Sequence, residues 1–290
     1  MATLLVVGLN PAWQRVLSLP SFRPGAVNRA RESWSLASGK GINAAKALGR
    51  LGHAVSLLQI LAGENGRRCL EGCEAWKLRS LHAWTDGETR ECVTLLHEDA
   101  DEATEIIAPF SVREPDVADR LLSQLETAYD AVLVCGSLPE GVPESLYADV
   151  LKRVRAPLVV WDSVVGLNAD VRKRIGWIKM NAEEYSRGYD LGEDRIAALI
   201  TDGPRSARVL HSKDADGAYL LPRVRARNPI GAGDTVAAVL TDGLLRGLGA
   251  ETAVRRALAA GSASCLSPLP AEYDAERAAE LEPRIRREAA

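Results

Sequence analysis

Two short segments bring small residues together with groups able to hold and deprotonate a ligand. The first reads Asn228-Pro229-Ile230-Gly231-Ala232-Gly233-Asp234-Thr235 and opens a long run of helical apolar period. Small residues let the backbone come close to a ligand, and the start of a helix points free N–H groups at it. With the macrodipole added, Gly231, Ala232 and Gly233 form a candidate anion site for a phosphoryl group carrying developing charge. Such a setting favours the ionised form of Asp234, which could accept a proton from an attacking hydroxyl. The plain alternative is a glycine-rich turn with Asp234 as a helix cap.

The second segment is Ser38-Gly39-Lys40-Gly41-Ile42-Asn43-Ala44-Ala45. It looks like a phosphate-binding Walker loop, but Lys40 is followed by Gly41 rather than Ser or Thr, and no glycine stands five residues before it. It nevertheless places glycines, an ammonium and a carboxamide at a helix start, a good site for a polar, anionic ligand. A helix N-terminus with a solvated lysine is the alternative.

The elements that must position these segments follow from periodicity. Apolar runs bounded by turn residues recur at 4–7, 55–60, 131–135, 158–161, 177–180, 196–201 and 207–210, several with the character of strands buried on both faces. Helical segments fall between them at 41–51, 65–76, 115–126, 143–154 and 167–173, with two more at 235–245 and 252–265. Alternation of this kind predicts an α/β fold: a mostly parallel central sheet flanked by helices. The stretches 13–36 and 88–107 alternate polar and apolar residues, as strands with one wet face do. They are expected to meet as a small β-sheet lid over a main domain made of 1–12, 37–87 and 108–290.

Lid and main domain, in this chain, carry motifs in an order that resembles the ribokinase-like (PfkB) family of carbohydrate kinases over essentially the whole length. Leu9-Asn10-Pro11-Ala12, Pro24-Gly25-Ala26-Val27-Asn28-Arg29 and Gly136-Ser137-Leu138-Pro139-Glu140-Gly141-Val142-Pro143 look like the branch that holds 1-phosphofructokinases and tagatose-6-phosphate kinases. So does Asn228 ahead of the Gly-Ala-Gly-Asp motif. The resemblance implies ATP-dependent phosphorylation of a sugar phosphate, with Asp234 as base and Gly231, Ala232 and Gly233 as anion hole. Gln14, Gly39, Lys40, Asn43 and Arg90 would line the sugar site, Arg90 pairing with the phosphate already on the substrate, as a guanidinium can bidentately. Lys179 and Asn181 would face the ATP phosphates, and Glu184 would support Mg²⁺ through water. Thr201, Gly203, Gly261 and Ser262 would lie along the nucleotide. Without the family, Asn181 and Glu184 read as a helix start with a capping-box glutamate, and Arg90 as a solvated strand arginine.

The chain departs from the family where it has Asn10-Pro11-Ala12-Trp13-Gln14, because an aspartate usually stands two positions after the Asn-Pro-Ala. Gln14 can donate and accept hydrogen bonds but supplies no charge. The segments after Asn181, Gly203 and Ser262 are also shorter than usual. These departures leave open a kinase of an unphosphorylated sugar or nucleoside, or a phosphosugar-binding protein without turnover.

Bulk properties narrow the partners. The 290 residues, 47% hydrophobic and 26% charged, fit an ordinary soluble enzyme. A net charge of −3 gives no reason to expect nucleic acid or an anionic membrane, and no apolar run reaches the length of a bilayer span. The N-terminal apolar run lacks a basic flank and reads as a first strand rather than a signal peptide. Five scattered cysteines without a C-x-x-C pair argue against a disulfide framework or zinc site, and a cytoplasmic setting is expected. A homodimer through the lid is the one assembly foreseen.

Overall fold

The computed structural model describes residues 1–99, 102–187 and 195–288. Among these, a ten-stranded sheet runs from one edge through β14 (Arg286–Glu288), β13 (Gly217–Leu220), β12 (Ser206–Leu210), β11 (Ala197–Asp202) and β10 (Trp177–Asn181). It continues through β9 (Leu158–Asp162), β8 (Ala131–Cys135), β1 (Thr3–Val7), β4 (Ala54–Ala62) and β5 (Arg79–Thr85). Every pair from β5 across to β11 is parallel. From β11 to β14 the pairing turns antiparallel, so the apolar run at 207–210 is a hairpin partner rather than a further parallel strand.

The parallel strands are buried on both faces, which is why they read as unbroken apolar runs. Leu4, Leu5, Val6 and Val7 of β1 are all fully buried. Leu4 and Val6 face a core shared with α1 (Lys40–Arg50), α2 (Gly63–Ala75), α7 (Ala232–Leu245), α8 (Ala250–Ser264) and α9 (Ala275–Leu281). Leu5 and Val7 face the opposite core, shared with α3 (Val117–Leu122), α4 (Ser145–Arg153) and α5 (Ala169–Arg172). Short α6 (Ala182–Ser186) follows β10 directly. Helix α7 is buried along most of its length because it is apolar nearly all round and sits between α1, α8 and the sheet. No helix of the described residues is long and apolar enough to cross a membrane.

A second, four-stranded sheet has the order β3 (Glu32–Ser38), β2 (Ala12–Leu19), β6 (Glu91–His97) and β7 (Glu102–Ile107). Gly8, just past β1, touches Gly41 in the first turn of α1 so tightly that a Cβ on Gly8 would lie 2.3 Å from the Gly41 Cα. The converse distance, from a Cβ on Gly41 to the Gly8 Cα, is 2.5 Å. Backbone touching backbone here seats the start of α1 over the end of the central strand.

Candidate active site

The carboxyl ends of parallel strands, where the chain turns toward helix starts, are where α/β sheets hold ligands. In this molecule the ends of β1, β8, β9, β10 and β11 converge there with the first turns of α1 and α7. Gly231 caps α7 at φ +80°, a backbone region that costs an L side chain energy, and a Cβ there would meet the Ala271 nitrogen at 2.7 Å. Ala232 turns its amide back to Pro229 O at 3.3 Å. The amides of Gly233 and Asp234 follow in the first helical turn, where geometry leaves N–H groups without an intrahelical acceptor.

Asp234 is 6% exposed, and its Oδ2 accepts from Asn43 Nδ2 at 2.8 Å, while Asn43 Oδ1 accepts from Ser38 Oγ at 3.1 Å. Burial raises the Asp234 pKa against the pull of Lys40, and the like charge of Asp162 raises it further. A carboxylate so placed is a stronger base than one in water.

Lys40 lies beside it. Its ammonium donates to Asp162 Oδ1 at 3.1 Å and to Glu184 Oε1 at 3.3 Å, and its stem packs near Gly136. Burial works against its charge, but Asp162, Asp234 and Glu184 together outweigh that and hold it protonated. Lys179, 3% exposed, reaches the other Asp162 oxygen at 3.4 Å and stands so near Gly233 that a Cβ there would lie 2.7 Å from its Nζ. Two ammoniums, one buried aspartate between them and a helix N-terminus make a compact cradle for phosphate oxygens.

Asn181 caps α6: its Oδ1 accepts from Glu184 N at 2.7 Å and Glu184 Oε2 accepts from Asn181 N at 2.8 Å, the reciprocal capping box. Burial opposes the Glu184 charge, but Lys40, the Asn181 N–H and Lys179 together outweigh it and its pKa is lowered. Thr201, next to last in β11, donates its hydroxyl to Met180 O at 3.4 Å, and Gly203 stands in the open turn just past the strand. Gly261 and Ser262 lie away from open space. A Cβ on Gly261 would strike Val236 Cγ2 at 2.5 Å, so it lets α8 approach α7, and Ser262 donates within its own helix to Leu258 O.

On the small-sheet side, Arg90 donates from NH2 to Asn10 O at 2.9 Å and from Nε to Pro11 O at 3.3 Å. One edge of the guanidinium is thereby fixed to the connection between β1 and β2, and the other remains for a ligand. Asn10 Nδ2 donates to Ser137 Oγ at 3.1 Å, and Gly39 presses on this same segment. Gln14 is 2% exposed, and its Nε2 donates to Thr94 Oγ1 at 2.8 Å, so its amide is committed to holding β2 against β6.

Sequence reasoning missed two residues. Asp162 is 1% exposed and joins Lys40 to Lys179; its only sequence signal is an acid at the end of an apolar strand. Glu105 pairs with Thr94 across the small sheet. Crowding by protein raises its pKa first and the charge of Asp234 next, against Arg90, so it looks into the same space. Alternation gave no sign of which face β7 would turn inward.

A tagatose-6-phosphate kinase from Staphylococcus epidermidis is 26% identical over 284 residues, covering 89% of this chain and 90% of that protein. The crystal structure of phosphofructokinase-2 from Escherichia coli in complex with substrates and products superposes with a TM-score of 0.83 at 20% identity, covering 97% of this chain and 98% of that one. Ribokinase from Thermotoga maritima gives a TM-score of 0.73 at 17% identity, covering 97% and 99%. These likenesses agree on a ribokinase-like fold. The sequence profile of the pfkB family of carbohydrate kinases matches residues 1–276, and the chain belongs to that family.

Proposed function

We propose that the protein transfers the terminal phosphoryl group of ATP to a hydroxyl of a sugar phosphate, with a hexose phosphate as acceptor. One observation carries this reading: a buried aspartate with a raised pKa, held by Asn43, stands in the first turn of α7 beside two ammoniums. Asp234 takes the proton from the attacking hydroxyl, and the first-turn amide of Gly233 with Lys179 holds the transferring group, while Gly231 and Ala232 shape the turn, the Ala232 amide being spent on Pro229 O. This is catalysis by positioning and charge neutralisation, with little covalent work for the protein.

Arg90, with Lys40, binds the phosphate already on the acceptor, while Gly39 and Asn43 line the sugar. Gln14 acts indirectly, holding β2 against β6, the strand that Arg90 precedes and that pairs with the strand bearing Glu105. Lys179 and Asn181 face the nucleotide phosphates, with Thr201 and Gly203 further along; Gly261 and Ser262 shape that side through α7–α8 packing. Mg²⁺ would be held by Glu184 through water, with Asp162 as a second hard oxygen donor nearby and with waters and phosphates completing its shell; in this structure both carboxylates accept from the Lys40 ammonium. Bound there, it would neutralise phosphate charge.

The small sheet, built from 13–36 and 88–107, serves as a lid over a main domain of 1–12, 37–87 and 108–290. Closing it excludes water as a competing acceptor. Its exposed apolar residues, Ile106 and Ile107 among them, suit pairing with a second copy.

The test is ADP release from Mg-ATP across a panel of hexose phosphates and free sugars, beside Asp234→Ala. Turnover on a hexose phosphate that the variant loses supports the reading. Turnover on free sugars alone, or tight sugar-phosphate binding without ADP release, would refute it.

A further inference from the structure

One buried charge in this molecule has no part in the chemistry above. Lys46, in α1, is 4% exposed. Its Nζ donates to the carbonyl oxygen of Pro270 at 2.7 Å and lies 4.9 Å from the centre of the Trp76 ring. Burying an ammonium is costly unless its charge is used, and here one backbone carbonyl and one aromatic face receive it. Burial lowers its pKa to about 8, Glu272 opposing and Arg50 assisting.

What it grips is the strap behind the phosphoryl cradle. Pro270 is followed by Ala271, which is fully buried and held at φ +50°. The Ala271 nitrogen and the Pro270 carbons are the atoms that a Cβ on Gly231 would strike. The same strap is tied from the other side. Asn228 Nδ2 donates to Pro268 O at 2.8 Å, and its Oδ1 accepts from Ile230 N at 2.9 Å. Loop 268–271 therefore lies flat against 228–231, with no slack between them.

Asn43 and Lys46 are three residues apart and share one face of α1, and Arg50, one turn further on, reaches Glu272 at 3.2 Å. Along that face α1 holds the Asp234 carboxylate with Asn43, the strap with Lys46, and the strap's far end with Arg50. We infer that Lys46 is a positioning residue for phosphoryl transfer: its ammonium fastens Pro270 so that the strap fixes the Gly231 turn and the amides that follow it. The consequence for kinetics rests on the proposed reading of 231–234 as the phosphoryl site; the mechanical coupling does not.

The test compares wild type, Lys46→Met and Lys46→Arg by amide hydrogen exchange and by steady-state kinetics. Exchange on the protein alone needs no acceptor. In Lys46→Met it is expected to quicken by about tenfold or more in 229–235 and 266–273, with β1 and β8 unchanged. On the hexose phosphate that turns over, kcat is expected to fall about ten- to a hundredfold while KM for the acceptor stays within about twofold, because only the cradle has moved. Lys46→Arg, which keeps a cation there, should restore both readouts in large part. Should Lys46→Met fail to fold, Trp76→Leu keeps the ammonium but removes its seat and is expected to quicken exchange in the same two segments. Unaltered exchange at 229–235 in the folded variant overturns the inference, as does a loss of kcat that Lys46→Arg fails to recover. Quickened exchange together with full activity in Asp234→Ala would keep the coupling and refute the phosphoryl-site reading instead.

Discussion

Replacing Gly233 by alanine adds a single methyl group at the centre of the site. Built on the present backbone, that carbon would lie 2.7 Å from Lys179 Nζ and 3.6 Å from its Cε. Ordinary contact needs about 3.5–4.0 Å, so the ammonium must withdraw by roughly 1 Å. It has little freedom to do so without loss: the side chain is 3% exposed, and its contact with Asp162 is already 3.4 Å long. Misplacing a group that stabilises developing charge by about 1 Å costs on the order of a hundredfold in rate, or about 2.7 kcal/mol of barrier. Alanine is meanwhile the better helix former by up to about 1 kcal/mol, which favours the folded state. The expected signature is a fall of about a hundredfold in kcat/KM with a melting temperature equal to or above that of wild type. Steady-state kinetics and calorimetry on the same preparation read both. The damage travels through Lys179, so Gly233→Ala and Lys179→Met should be strongly non-additive when combined. A Gly233→Ala enzyme within about threefold of wild type would refute the placement of Lys179 against the transferring group.

Four other outcomes are expected. Arg90→Ala should raise KM for a phosphorylated acceptor by about a hundredfold with little change for ATP, since a charge-assisted contact to phosphate is lost; equal effects on both substrates would move Arg90 off the acceptor phosphate. Burial and Asp162 raise the Asp234 pKa, so the acid limb of kcat/KM should lie above the ordinary carboxylate range. The sign for stability is the reverse: a raised folded-state pKa favours the fold at low pH, and that contribution is lost as pH rises through it, so Asp234→Asn should melt no lower than wild type at pH 7. Lys46 has its pKa lowered from 10.5 to about 8, so the folded state sheds its proton first. Wild type should accordingly gain stability relative to Lys46→Met between about pH 8 and 10.5, by up to about 3 kcal/mol, as read from urea midpoints; a flat difference would refute it.

Much of the fold could be read from the chain because burial on both faces writes itself into a parallel strand as an unbroken apolar run. The runs at 4–7, 131–135 and 177–180 correspond to β1, β8 and β10 almost residue for residue. Strand β5 escaped because one of its faces is open, and β14 because three polar residues at a sheet edge carry no pattern. The two glycine-rich turns were visible because backbone proximity restricts residue type locally. Asp162 was not, since its partners Lys40 and Lys179 reach it only through the order of strands in the sheet. Gly261 sits on the α8 face that meets α7 and Ser262 bonds within its own helix, and helical phase alone does not say which neighbour a buried face will have. Gln14 is similar: the type suits a ligand, but its register opposite β6 gives its amide to Thr94.

The contact between Gly8 and Gly41 restricts the routes by which this sequence can change. At each position the space a methyl group needs is filled by the other's main chain, which no rotamer can vacate. A change at one cannot be accommodated by a smaller residue at the other, because there is none. The usual exchange of large for small across a packed pair is therefore closed, in either order and in both at once. Only a backbone displacement of α1 could relieve it, and α1 carries Lys40, Asn43 and Lys46 with it. Variation in acceptor preference must come from elsewhere, and the small sheet with Gln14, Arg90 and Glu105 in or beside its strands is free of that lock.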